Sequence, residues 1–176
     1  MKTTAVRLYG QNDLRMGSFE LPAIKDDEIL VKVISDSICM SSYKAAIQGS
    51  NHKRVPDDIG ENPIIIGHEF CGEILEVGSK WADQFKVGEK FGIQPAIQYK
   101  DTLMTPGYAF PNCGGATQYA VIIPEVMEQD CLLHYNGSAY FYGSLAEPLS
   151  CIIGTFHAQY HTRLGCYTQV FSGHGQ

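Results

Sequence analysis

Cys39, the triplet Gly67-His68-Glu69 and a distant Glu147 in Leu-Ala-Glu-Pro-Leu-Ser are the residues of this chain best suited to metal chemistry. Thiolate sulfur, imidazole nitrogen and carboxylate oxygen all bind Zn²⁺. Three protein ligands leave a fourth position open to water or substrate, which a catalytic zinc needs. Each residue also has a plainer explanation. A free cysteine is most often a small buried hydrophobe, and a lone histidine before a strand is usually a hydrogen-bonded structural group. Their combination narrows the choice: Cys39 follows a strand-like run and precedes a short helix-like one, and Gly72 and Gly78 follow the Gly-His-Glu triplet. Glycines there let the backbone turn sharply so that His68 projects into a cleft.

Glu147 is harder to explain as a helix cap. Pro148 suits a first helical turn, where its missing N–H costs nothing, but glutamate caps poorly compared with serine or aspartate. A capping box formed by Ser144 and Glu147 pushes Pro148 one position deeper, where the lost hydrogen bond begins to cost.

The elements that must position these groups are short. Segments 3–9, 14–20, 29–35, 70–77, 91–94 and 117–123 alternate or run apolar between turn residues, which reads as strands. Segment 41–47 reads as a short helix closed by Gly49. Segment 148–161 places Leu149, Ile152, Ile153, Phe156 and Tyr160 on one stripe. Segment 99–112 shows no periodicity. Strands this short and regularly punctuated suggest a small barrel or sandwich.

At 176 residues the chain is long enough for one well-cored domain. A net charge of −6 argues against a nucleic-acid surface, and the one basic run, His52-Lys53-Arg54, reads as a solvated loop. No stretch has the length of a membrane span, and the first residues lack the apolar core of a leader. The six cysteines form no Cys-x-x-Cys pair, so reduced thiols and a cytoplasmic location are expected.

Residues 1–161 resemble the zinc-type medium-chain dehydrogenase/reductase family, in its polyol-dehydrogenase branch. The resemblance is carried by Cys39-Met40-Ser41-Ser42-Tyr43-Lys44, Gly67-His68-Glu69-Phe70-Cys71-Gly72 and Ala146-Glu147-Pro148-Leu149-Ser150-Cys151. It implies a mainly β fold with short helices: a GroES-like β-barrel as catalytic domain over 1–147, then a connecting helix and tail over 148–176. The nucleotide-binding domain is expected to lie outside this chain. Val170 to Gln176 resembles only the start of a dinucleotide-binding turn, so the chain alone is expected not to complete a catalytic cycle.

The same resemblance assigns the site. Cys39 and His68 are zinc ligands, Glu69 joins them or stays behind them, and Glu147 supplies a carboxylate directly or through water. Ser41, two places after the cysteine, relays the substrate proton. Family members often carry an acid where this chain has Ser42, and that loss should leave the ligands less firmly oriented. Trp81 stands where the family's signature expects a small or branched residue. A structural zinc needs four closely spaced cysteines, and only Cys113 lies between Gln94 and Thr117. One catalytic zinc and no structural zinc are therefore expected. His157 and His161 read as helix surface, and Cys71, Cys131, Cys151 and Cys166 as thiols without a role at the site.

The implied activity is zinc-dependent reduction of a ketose phosphate to a hexitol phosphate with NAD(P)H. The partners would be a sugar phosphate or polyol and further copies of the chain, with neither nucleic acid nor membrane. His52-Lys53-Arg54 could meet the sugar phosphate, although a solvated loop is the preferred reading of that run. Another hexitol or hexitol-phosphate dehydrogenase is the nearest alternative, and a non-catalytic zinc-binding module is the alternative from another class. A zinc-free quinone reductase is disfavoured by Cys39 and His68.

Overall fold

Alternating side chains fold the first twenty residues into a hairpin of β1 (Lys2–Gly10) and β2 (Asp13–Glu20), turned at Asn12 with φ 56°. The computed structural model describes residues 1–158 apart from Gln98 and Asp101, and the backbone alone of His157 and Ala158. β3 (Ile29–Asp36) leads through a short loop into helix α1 (Met40–Gln48). A two-residue strand β4 (Ile64–Ile65), then β5 (Phe70–Val77), β6 (Lys90–Ile93) and β7 (Tyr119–Ile122) follow. The remaining elements are α2 (Pro124–Met127), β8 (Leu132–His134), α3 (Tyr140–Ser144) and α4 (Ala146–Ala158).

The strands form two sheets. One has the order β2-β1-β4 and the other β7-β3-β5-β6-β8. An isolated bridge between Ala5 and Thr117 links them. The expected barrel is thus built as two joined sheets that do not close into one ladder. Its main core lies beneath the larger sheet, where Phe70, Phe91, Ile74, Val31 and Ile122 pack with Trp81 and Phe85. Trp81 is a core residue, and its indole N–H donates to the Asp27 carbonyl at 2.9 Å. A second cluster of Leu8, Ala45, Ala46, Val55, Ile59, Ile64 and Tyr108 binds α1 and the following loop to the smaller sheet.

One pairing brings the candidate residues together. β3 and β5 run antiparallel with Asp36 opposite Phe70. The end of β3 and the start of β5 therefore coincide in space. The chain leaving β3 carries Cys39, and the chain entering β5 carries His68 and Glu69. The Ser37 N–H donates to the Glu69 carbonyl at 3.1 Å and ties the two segments together. α3 packs across β3, β5 and β6, and Ser144 at its end bonds Ser35 Oγ at 2.8 Å.

The sequence reading differs from the fold in three places. β4, β8, α2 and α3, each five residues or fewer, carry too little periodicity to be seen. α4 begins at Ala146, so Glu147 and Pro148 lie in its first turn. The hydroxyl of Ser144 donates to the Phe141 carbonyl, which removes the capping box. Of the apolar stripe, Leu149, Ile152, Ile153 and Phe156 are all exposed. Tyr160, His161, Cys166 and the glycine-containing tail lie outside the described residues.

Candidate metal centre

Gly67 sets the turn into the site. Its φ is +88°, and a Cβ there would sit 2.2 Å from Asp36 Oδ2 and 2.8 Å from the Ala116 nitrogen. Only glycine fits that backbone. Gly107, at φ +76°, closes on the same turn, with room for no Cβ against the Gly67 carbonyl. His68 and Glu69 follow, both buried.

The ligating atoms of Cys39, His68 and Glu69 all lie within 4.8 Å of one another, the one such group among the described residues. Zn²⁺ takes sulfur at about 2.3 Å and nitrogen at about 2.0 Å, so small side-chain movements suffice to close these donors on one ion. Burial pushes the His68 imidazole below its ordinary pKa, opposed by the Glu69 carboxylate and reinforced by Arg54. A neutral ring is the form that donates a lone pair to a metal.

Ser42 has the place the sequence reading gave to a missing acid. Its Oγ lies 3.2 Å from His68 Nδ1, while Ser41 Oγ lies 3.4 Å from Nε2. A neutral hydroxyl therefore stands beside the imidazole where an acid would have stood. Ser41 Oγ is also 2.8 Å from Cys39 Sγ, at the mouth of the ligand group. Glu69 is held at both ends: its N–H donates to Asp36 Oδ1 at 3.2 Å, and its carboxylate accepts from Ser37 Oγ.

Glu147 reaches the same place from α4. It lines a cleft of about 280 Å³ with Ser41, Lys44, His52, Arg54, His68, Thr105 and Tyr108. Burial and a hydrogen bond to Glu69 push its carboxyl pKa up. Two carboxyls pressed together beside a thiol and an imidazole form a donor set that a divalent cation would satisfy. The residues fit zinc.

Other expectations change. Lys53 is exposed, as a solvated loop requires, but His52 is buried and Arg54 half-buried. The His52 ring stacks on Tyr108 at 5.5 Å, and Tyr108 lies 4.9 Å from the His68 ring. Tyr108 also bonds Ser41. Tyr108 escaped the sequence reading because segment 99–112 has no period, whereas His52 and Arg54 were read there as loop. The signal available was Gly107, a glycine in an apolar loop. Cys151, read as a thiol without a role, is exposed, and its Sγ lies 3.2 Å from Glu147 Oε1. Cys71 and Cys113 are buried, which pushes their thiols up to about 11 and about 12.

Asp36 gives a pH prediction. Burial raises its carboxyl to about 7, against a hydrogen bond from the Glu69 backbone, and the Glu69 charge adds to the rise. The folded state then holds a proton that the unfolded state releases near 4, so stability falls as pH rises between those values. Metal-free protein should show a Tm that drops from pH 4.5 to 7, with a smaller drop for Asp36→Asn. Thermal melts in the presence of chelator read this directly.

The chain matches the family model of the alcohol dehydrogenase GroES-like domain over residues 25–135 and belongs to that family. It is 56% identical over 168 residues to the L-sorbose 1-phosphate reductase of Klebsiella pneumoniae, covering 96% of this chain and 41% of that protein. The mannitol-1-phosphate 5-dehydrogenase of Aliivibrio fischeri is 50% identical over 161 residues, with coverages of 92% and 38%. The crystal structure of 2R,3R-butanediol dehydrogenase from Bacillus subtilis superposes with a TM-score of 0.74 at 25% identity, over 89% of this chain and 47% of that one. The chain thus spans about two fifths of the length of the curated relatives it matches.

Proposed function

We propose that this chain is the metal-holding part of a cytoplasmic, nicotinamide-dependent reductase that converts L-sorbose 1-phosphate, or a close ketose phosphate, to a hexitol phosphate. One observation carries the reading: Cys39, His68 and Glu69 converge at the edge of a cleft that Glu147 and Ser41 also line. The identity to a sugar-phosphate reductase supports the substrate class. A single Zn²⁺ bound by Cys39, His68 and a carboxylate from Glu69 or Glu147 supplies Lewis acidity toward a carbonyl oxygen.

The chain's own residues do the rest on this side of the reaction. Ser41 Oγ, beside Cys39 Sγ and within reach of Tyr108, delivers the proton to the product oxygen. Ser42 holds the imidazole by Nδ1 and leaves Nε2 for the metal. NAD(P)H would supply the hydride, held by residues outside this chain.

Nicotinamide absorbance with L-sorbose 1-phosphate tests the reading in protein extended to its relatives' length. Turnover that zinc restores after chelation is expected, with Ser41→Ala about 100-fold slower in kcat. Turnover unaffected by chelation and by Ser41→Ala would reject it. The exposed Leu149, Ile152, Ile153 and Phe156 on α4 form an apolar face of the kind that mediates association. The 176-residue chain should therefore sediment as an oligomer, and Ile152→Glu with Phe156→Glu should return it to a monomer.

A further inference from the structure

The zinc ligands leave one side of the cleft unexplained. Lys44 on α1 and Arg54 in the following loop both line it, and neither forms an ion pair among the described residues. Two cations that line one cleft with Glu147 yet pair with no carboxylate among the described residues are unexpected in a chain of net charge −6. Arg54 is held in place: Nη1 donates to the buried Thr105 Oγ1 at 3.4 Å, and its Cζ lies 5.8 Å from the Tyr108 ring centroid. That bond uses one of five guanidinium N–H donors.

His52 completes the group. Its Nδ1 accepts the Arg54 backbone N–H at 3.3 Å. In the neutral ring the proton then sits on Nε2, which becomes a donor. Burial keeps the ring neutral, and the charges of Lys44, Arg54 and Lys53 reinforce this. Tyr108 stacks on this imidazole and touches that of His68, so a single ring separates the cationic group from the metal ligands.

We propose that Arg54, Lys44 and the Nε2–H of His52 form the seat of a phosphate monoester, with Thr105 and Tyr108 as positioning residues. A doubly charged phosphate matches two cations and a neutral donor. In a 1-phospho-2-ketose the phosphorus is one ester oxygen and one carbon from the carbonyl carbon. Seating the phosphate here brings that carbonyl to the Cys39–His68 side of Tyr108. The assignment of the phosphate to a ketose rests on the function proposed above; the seat itself rests on the cleft.

Calorimetry on the zinc-loaded chain with L-sorbose 1-phosphate, and on the zinc-stripped chain with inorganic phosphate, tests the seat apart from the metal. Arg54→Gln should weaken both by about 10-fold or more and Lys44→Gln by about 10-fold, the range for lost charge-assisted bonds. Arg54→Lys should recover part of the loss, and zinc content should stay at the wild-type level. Binding of both probes unchanged in Arg54→Gln overturns the seat even where zinc binds normally. Phosphate binding that depends on Arg54 in a chain that takes up no zinc keeps the seat and rejects the metal reading. A loss confined to NADH, with L-sorbose 1-phosphate unaffected, overturns the proposal by giving the cations to the cofactor's pyrophosphate.

Discussion

Cys39→Ala and His68→Ala should each strip the protein of most of its zinc, whereas Glu147→Ala should weaken it by a smaller factor. Cys39 and His68 contribute the sulfur and nitrogen of the donor group, and neither has a substitute of its type within the same group. The carboxylates differ, because Glu69 and Glu147 lie against each other. Loss of either leaves the other able to turn in, directly or through water. Removing a group that only supports a ligand typically costs about 10–100-fold in metal affinity, and Glu147→Ala belongs in that range. Loss of Cys39 or His68 should exceed it. Competition with a chromophoric chelator ranks the variants. Equal losses for Glu147→Ala and His68→Ala would make Glu147 a full ligand.

Gly67→Ala should unfold the site and lower the stability of the whole domain. The new Cβ would meet the Asp36 carboxylate and the Ala116 backbone nitrogen at a φ of +88°. A left-handed non-glycine residue costs about 1–3 kcal/mol, and forced overlap with a packed neighbour adds about 1–3 kcal/mol more. Together these amount to roughly 3 kcal/mol, which in a domain of this size lowers Tm by about 10 °C. The carboxylate can swing away but the Ala116 backbone cannot, so most of the cost should remain. Gly17→Ala, where a Cβ meets nothing within 4 Å, is the matched control. A Gly67→Ala melt that coincides with the Gly17→Ala melt would show that the turn tolerates a side chain.

Much of the site was legible because its chemistry sits where local signals are strong. Gly-His-Glu before a largely apolar run marks a sharp turn into a strand, and the long strands β1, β2, β3 and β5 emerge at nearly their observed bounds. Glu147 was singled out by the resemblance of its Glu-Pro-Leu-Ser segment, with capping a poor rival explanation, and it lines the same cleft. The pairing of Asp36 with Phe70 was not legible, since antiparallel register is a tertiary fact. Tyr108 was missed, and His52 and Arg54 were read as solvated loop in preference to a phosphate contact, for a related reason. A basic run in an irregular segment looks like solvated loop until an aromatic ring 54 positions or more away stacks on it, and no local period encodes that contact. Ser42 shows the converse. Its hydroxyl was read only as a loss relative to an acid, and that reading did not foresee its place beside His68 Nδ1.

Zinc content of the purified chain, measured by elemental analysis after exhaustive dialysis, tests the centre most directly. One zinc per chain is expected, falling toward zero in Cys39→Ala and His68→Ala while Cys113→Ala keeps its metal. A wild-type value near zero, or a value near one that survives loss of both Cys39 and His68, would contradict a metal centre at the meeting of β3 and β5.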